Sequence, residues 1–241
     1  MTRQTTPVPE DPVRLFVNDV AVGTWTASPR GLDALGAGRL LSLGYVRGAG
    51  DILDTRVTEP GETGVWRIDV TIPKDRVAVG VEERDHRRWH GCGLRYLLDC
   101  RSDLLPERDD EAVLPVPELD TFPALFRELF DRSPSRRTTG GHHTTALTDG
   151  ARLVHVYEVV GRHNGVDKAI GGALLSADDL RGLGLVTTAR ISGEMAEKAA
   201  RAGLAWVASR SVPTTLAVEI AKTAGLPLIA RAAGKEARVF E

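Results

Sequence analysis

Cys92 lies in RDHRRWHGCGLRYLLDC (84–100), a stretch that also holds the other cysteine of the chain, Cys100. The thiolate is the reactive form of cysteine, and nearby cations lower a thiol's pKa. Arg84, His86, Arg87, Arg88, His90 and Arg95 stand around Cys92 in sequence and supply such a field. Gly91 and Gly93 flank it, which suits a bending, exposed loop. Cys100 follows closely on the apolar pair Leu97-Leu98 and reads as a buried structural cysteine. The competing reading of Cys92 is a small core residue beside a solvated basic loop.

Two further stretches carry polar residues at chemically useful spacings. In EVVGRHNGVDKAIGG (158–172) a strand pattern ends, a turn follows at Gly161, and a helix pattern begins. That geometry aims backbone N–H groups and the helix dipole at an anion. Arg162 adds a fork of donors and His163 a titratable ring. Asp167 and Lys168 stand in the first helical turn, with Asn164 as the expected N-cap of a helix over 166–175. His163, Asp167 and Lys168, together with His142, are the acid–base candidates. The plain alternative is that Arg162 and Asn164 only cap and brace the turn. In TTGGHHTTAL (138–147), Gly140 and Gly141 allow close backbone approach to a ligand. His142 and His143 are metal-ligand types, but adjacent histidines point apart in an extended chain. No cysteine or carboxylate stands at zinc-site spacing, so no metal site is expected. The alternative is an ordinary polar loop.

Elements that position these residues follow from periodicity. Strands are expected at 13–18, 66–72, 77–82, 152–160, 183–188, 204–208, 226–230 and 237–240. Helices are expected over 31–43, 119–130, 166–175, 192–202 (capped by Ser192 and closed by Gly203) and from Thr214 or Thr215 to Gly225. Residues 101–117 read as a connector rich in charge and proline, and 133–143 as a loop. Strand–helix alternation in the second half implies parallel pairing with right-handed crossovers. The resulting division is a disordered lead-in at 1–12, a β-rich N-terminal portion at 13–117 with the cysteine loop, and an α/β domain at 118–241.

Composition narrows the function classes. A net charge of -2 over 241 residues argues against non-specific nucleic-acid binding. No run approaches the length of a membrane span, and the polar, Pro-rich start is not of secretory type. Two cysteines do not make a disulfide framework, and the expected compartment is the cytoplasm.

The sequence resembles the FdhD family, the formate dehydrogenase accessory sulfurtransferases. GRHNGVDKAIG (161–171) is similar to that family's GRHNAVDK-type segment, and TGGHHTTAL (139–147) to its TGG-x-H-x-A-A-L segment. The stretch from Ser192 to Ala230 resembles its C-terminal region, and VRLFVNDVAVG (13–23) its opening strand and turn. The resemblance implies a cytidine-deaminase-like α/β fold, a three-layer mixed sheet with helices on both sides and a smaller β-rich N-terminal portion. It implies a homodimer that takes persulfide sulfur from a cysteine desulfurase. That sulfur goes to the molybdenum or tungsten of a bis-pterin guanine dinucleotide cofactor destined for a molybdoenzyme. Cys92 would carry the sulfur. Gly140, Gly141, Gly161, Arg162, Asn164 and Arg231 would line the pocket for that cofactor or a guanine nucleotide, bound transiently and not covalently.

Four departures stand out. The family's cysteine loop resembles CGVCG, whereas GCGLR (91–95) has one cysteine, and Cys100 is eight positions further on. Val159 follows Glu158 where the family commonly has ED. Ser133 and Arg136 stand where Gln and Phe commonly precede TGG. RAAGKEA (231–237) lacks the F-x-R-G-x-R pattern. An alternative is therefore a repurposed enzyme on the same scaffold. It would act on another small anionic or nucleotide-like metabolite in a biosynthetic pathway, without sulfur transfer. A third reading is a ligand-binding protein without catalysis. Zinc-dependent deamination, which the fold would suggest, lacks its His/Cys-Glu and P-C-x-x-C signature.

Overall fold

The computed structural model describes residues 7–74 and 114–241. Cys92, Cys100 and the strand expected at 77–82 lie outside them. The N-terminal portion is a four-stranded mixed sheet of order β2-β1-β4-β3, with β1 at Asp11–Val17, β2 at Val20–Ala27, β3 at Asp54–Thr58 and β4 at Trp66–Thr71. Alternation drives it: Val13, Leu15 and Val17 of β1 are buried, as are Ile68 and Val70 of β4. Asn18 and Asp19 both take positive φ (47° and 68°), as a tight two-residue hairpin requires. The Asn18 carboxamide also donates to the Ile72 carbonyl and accepts from the Ile72 N–H, both at 3.0 Å, which fastens the turn to the end of β4.

The second sheet has six strands in the order β10-β9-β8-β7-β5-β6. They are β5 (His143–Thr148), β6 (Leu153–Val159), β7 (Gly184–Thr187), β8 (Val207–Ser209), β9 (Leu228–Ala230) and β10 (Arg238–Phe240). Helix α1 (Leu32–Ser42) belongs to the N-terminal portion; α2 (Phe122–Asp131), α3 (Pro134–Thr139), α4 (Arg162–Leu175), α5 (Gly193–Arg201) and α6 (Thr215–Thr223) follow. On one face of the sheet, Phe122, Phe126 and Leu129 of α2 pack with Ala146, Trp206 and Ile229. The Phe122 and Trp206 rings meet edge to face at 5.2 Å. Residues of α4, α5 and α6 share a core with Leu147, Leu185, Val207 and Leu228 of the sheet, and that core runs on without a break into α1 and the N-terminal sheet.

Several expectations change. Within the six-stranded sheet only β7, β8 and β9 are parallel; β5 runs antiparallel to both β6 and β7, and β10 to β9, so that sheet is mixed. The helix expected at 166–175 starts at Arg162 with Gly161 as its N-cap, which places Asn164 inside the first turn. Residues 134–139 form the short helix α3 rather than a loop, closed by Gly140 at φ 70°. Strand β1 begins at Asp11, within the expected lead-in, and Val8 packs on Gly141. Thr214 does cap α6, its hydroxyl accepting from the Ala217 N–H at 3.2 Å. Gly203, at φ 70°, follows the end of α5 as a left-handed closing residue.

Helices α1 and α4 cross backbone to backbone. A Cβ on Gly38 would fall inside the Asp167 carbonyl, and one on Gly171 inside the Ala34 carbonyl. Neither obstacle is a side chain that can turn away. Gly171→Ala is therefore expected to destabilise the protein by about 3 kcal/mol or more in urea unfolding. Gly182→Ala, where nothing lies within 4 Å of an added Cβ, should change stability by less than about 0.5 kcal/mol.

Candidate functional site

The strand directions bring the sequence motifs to one edge. His143 pairs with Val159, so the TGG loop and the GRHN turn are neighbours. Thr145 pairs with Thr187, and β7, β8 and β9 end at this same edge. The N-termini of α4, α5 and α6 start there. In open α/β sheets the crevice beyond the carboxyl ends of the parallel strands is where ligands bind. Arg190, Arg210 and Arg231 follow β7, β8 and β9 and are exposed; Arg136 and Arg162 approach from the other side and are half-buried. Arg136 and Arg210 both lie over the Phe130 ring, at 5.2 and 5.9 Å. Arg231, at φ 51°, is held by its N–H to the Ser211 carbonyl and by Glu236 at 2.6 Å. The Nε of Arg162 is buried without a hydrogen-bond partner. Five arginines thus gather along this edge, with Glu158, Glu194 and Glu236 beside them, and their guanidinium groups suit an anion.

The histidines divide. His142 is buried, its Nδ1 3.0 Å from the Thr139 hydroxyl. His143 is half-buried; desolvation, then Arg162 and Arg136, push its pKa below the usual imidazole range. His163 Nε2 is 3.0 Å from the Ser192 hydroxyl and 3.5 Å from a Glu194 carboxylate oxygen. Burial pulls this ring down to about 4; Glu194 opposes the shift, while Lys198 and Arg162 add to it. His163 is thus uncharged at neutral pH. Glu158 accepts the backbone N–H groups of Ser135 and Arg136, a carboxylate at the positive end of α3.

The other motif residues face inward. Asp167 is fully buried where α1, α4 and α5 meet. It takes hydrogen bonds from Lys198 Nζ and the Ser42 hydroxyl, each 2.7 Å, and the Arg39 guanidinium lies at 2.9 Å. Burial pushes its carboxyl upward, but Lys198 and Arg39 outweigh that and hold it below the usual carboxylate range. Arg39 also lies 4.7 Å over the Trp25 ring, and Glu194 stands 3.6 Å from Lys198. Lys168, equally buried, donates to the Ser28 and Arg30 carbonyls at 2.8 and 2.7 Å, and burial lowers its pKa to about 8. Asn164 donates to the Thr26 carbonyl at 2.9 Å. The sequence-predicted acid–base residues therefore separate: His163 lies at the crevice edge, whereas Asp167 and Lys168 bind the N-terminal portion to α4. Gly140, Gly141, Gly161, Arg162 and Arg231 gather at the crevice. Cys92 lies outside the described residues. Sequence reasoning missed Ser192, Glu194 and the arginines at 136, 190 and 210. Only the i,i+4 spacing of Glu194 and Lys198 hinted at a cluster. No group of three or more His, Cys, Asp or Glu among the described residues could hold a metal ion. None of their helices is long and apolar enough to cross a membrane.

An α/β protein with an arginine-lined crevice at its strand ends is the class that fold and site define. Within that class the chain belongs to the FdhD/NarQ family, whose sequence profile matches residues 8–241. It is 32% identical over 228 residues to the "Sulfur carrier protein FdhD" of Burkholderia mallei, spanning 91% of this chain and 82% of that one. It is 34% identical over 253 residues to the protein of the same description from Streptomyces coelicolor, spanning 99% and 88%. A crystal structure assigned to a formate dehydrogenase accessory protein from Desulfotalea psychrophila superposes with a TM-score of 0.75 at 28% identity, over 97% of this chain and 87% of that one.

Two outcomes are expected from this geometry. Asp167→Asn leaves Arg39 and Lys198 buried against a neutral amide and should cost about 3–5 kcal/mol in chemical denaturation. The folded Asp167 pKa is depressed, so its stabilisation is complete above the unfolded value of about 4 and is lost as pH falls toward the folded one. The variant's acid limb of stability should be correspondingly flatter. At the crevice, a Cβ on Gly141 would lie 2.7 Å from Val8 Cγ2 but 3.9 Å from Val8 Cβ. Gly141→Ala should lower the thermal midpoint, and adding Val8→Ala should restore most of it, a coupling above about 0.5 kcal/mol in a double-mutant cycle.

Proposed function

We propose that the protein is a sulfur carrier for formate dehydrogenase maturation, with Cys92 as the carrier and the arginine-lined crevice as the seat of an anionic cofactor substrate. The observation that carries the reading is the arginine crevice, at the strand-end edge that also gathers the TGG and GRHN segments. The relatives' designation as sulfur carrier proteins supports the same role. In this reading the Cys92 thiolate attacks the outer sulfur of a persulfide on a cysteine desulfurase. A new S–S bond forms on Cys92, the donor's S–S bond breaks, and the donor cysteine leaves as thiolate, with no net redox change. The recipient is the molybdenum or tungsten of a bis-pterin guanine dinucleotide cofactor. Its phosphates suit Arg136, Arg162, Arg190, Arg210 and Arg231. Gly140, Gly141 and Gly161 give backbone access beside them. We further take the scaffold as cytidine-deaminase-like, a mixed sheet with helices on both faces, and the working form as a cytoplasmic homodimer serving a molybdoenzyme.

The repurposed-enzyme reading is favoured by one observation, the lone cysteine of GCGLR. Its acid–base work would fall to His142 and His163, because Asp167 and Lys168 are committed to buried partners. The two readings separate on one residue. Under the carrier reading, treatment with a desulfurase and cysteine adds about 32 Da per sulfur, by mass spectrometry, to the parent chain and not to Cys92→Ser, while Cys100→Ser still gains it. Equal sulfur uptake by Cys92→Ser would sink the carrier assignment.

A further inference from the structure

The partners of His163 are unusual for their position. Ser192 is the N-cap of α5, with extended backbone (φ -95°, ψ 165°), yet its hydroxyl makes no bond to its own helix. It is turned instead to His163 Nε2 at 3.0 Å. Glu194, in the first turn of the same helix, reaches the same nitrogen at 3.5 Å. An ionised carboxylate can only accept a hydrogen bond, whereas a hydroxyl can give or take one. A ring nitrogen held between the two is therefore best satisfied carrying the proton. Lys198, 3.6 Å from Glu194, holds that carboxylate in place. His163 Nδ1 has no hydrogen-bond partner among the described residues.

Because hydroxyl and carboxylate meet the same nitrogen, this is not a hydrolytic triad. There the acid holds the nitrogen remote from the nucleophile and the base takes the hydroxyl proton. Ser192 is not activated here; it and Glu194 orient the ring. We propose that Ser192 and Glu194 are positioning residues that fix His163 as its Nε2–H tautomer, so that Nδ1 is the acceptor offered to an N–H donor of the crevice ligand. The ligand half of this inference rests on the nucleotide-bearing cofactor proposed above; the tautomer half does not. It divides the labour of the crevice. The arginines answer phosphate charge without direction to spare, while an uncharged imidazole gives one directional acceptor, as the amide and amino edge of guanine requires. The groups acting on the ring are Glu194 and Lys198 of α5 and Arg162 and Asp167 of α4; the uncharged state follows chiefly from burial.

The test is nitrogen NMR of the full chain labelled at histidine, with His163 assigned by the signal lost in His163→Gln. At neutral pH the expected pattern is a protonated-type Nε2 and an unprotonated-type Nδ1. In Ser192→Ala/Glu194→Gln the ring should relax to a mixture of tautomers; a purely structural role for these two residues would leave the pattern unchanged. An Nδ1–H or doubly protonated ring in the parent, or an unaltered tautomer in the double variant, overturns the positioning role. With GDP as the probe, the Nδ1 resonance should move on saturation while Nε2 stays. Binding of GDP without movement of Nδ1 overturns the acceptor role. Absence of any GDP binding counts against the guanine-nucleotide reading of the crevice, while the tautomer pattern still decides the positioning role.

Discussion

A carboxylate with no access to water, Asp167, ties together three helices that come from distant parts of the chain. Burying it alone would be prohibitive, and breaking such a pair leaves an uncompensated charge in a medium that screens poorly. Its partners arrive from α1 as Arg39 and Ser42 and from α5 as Lys198, with Glu194 balancing the second cation. The arrangement works only because α1 and α4 touch along Gly38 and Gly171, where any side chain would force the backbones apart. Close packing and charge pairing thus depend on each other. The glycines bring Ser42 and Arg39 within reach of Asp167, and the charge pairing fixes which face of α4 meets α1.

That constraint divides the GRHN-Asp-Lys segment by helix geometry. Asn164, Asp167, Lys168 and Gly171 recur at intervals of three and four and share the face turned to the N-terminal portion. Their polar atoms are spent on the Thr26, Ser28 and Arg30 carbonyls and on the charge cluster. Arg162 and His163 stand one turn earlier, at the mouth, where they meet the crevice and α5. One short motif therefore joins the two sheets with its later residues and furnishes the crevice with its first ones. The Ser28 hydroxyl, accepting from the Val160 N–H at 3.1 Å, adds a further tie across the same junction.

Much of this architecture was legible from pattern. The apolar spacing of Phe122, Leu125, Phe126 and Leu129 gave α2, and Gly203 and Thr214 marked real helix ends. The start of α4 was misplaced because Asn164 is a good N-cap by type, whereas Gly161 takes that position and the Asn164 amide is drawn to a carbonyl 138 residues away. Strands β2, β3 and β5 escaped: the faces of β2 and β3 are only half-buried, which blurs alternation, whereas β5, expected as part of a polar loop, is buried on both faces and its threonines hide the strand. The charge cluster was invisible for a simpler reason: Ser42 and Asp167 are 125 residues apart, and nothing local distinguishes a buried aspartate from a catalytic one. The crevice residues Gly140, Gly141, Arg162 and His163 were found because their signals, glycine pairs and a strand-to-helix turn, are local.

The chemistry available at the crevice follows from what the fold has already used. Once Asp167 and Lys168 are committed to the helix junction, the titratable groups left beside the arginines are the histidines with Glu158 and Glu194, and His163 is held uncharged. A uniformly cationic crevice would grip any polyphosphate. An uncharged ring fixed between α4 and α5 adds a contact whose strength depends on a donor at one point in space, which charge alone cannot supply. The helices that carry this ring are the ones Asp167 holds together, through Lys198 on α5 and its own place on α4. The buried carboxylate therefore bears on the crevice as well as on the junction of the two sheets, since a shift of α5 against α4 would move Ser192 and Glu194 away from His163.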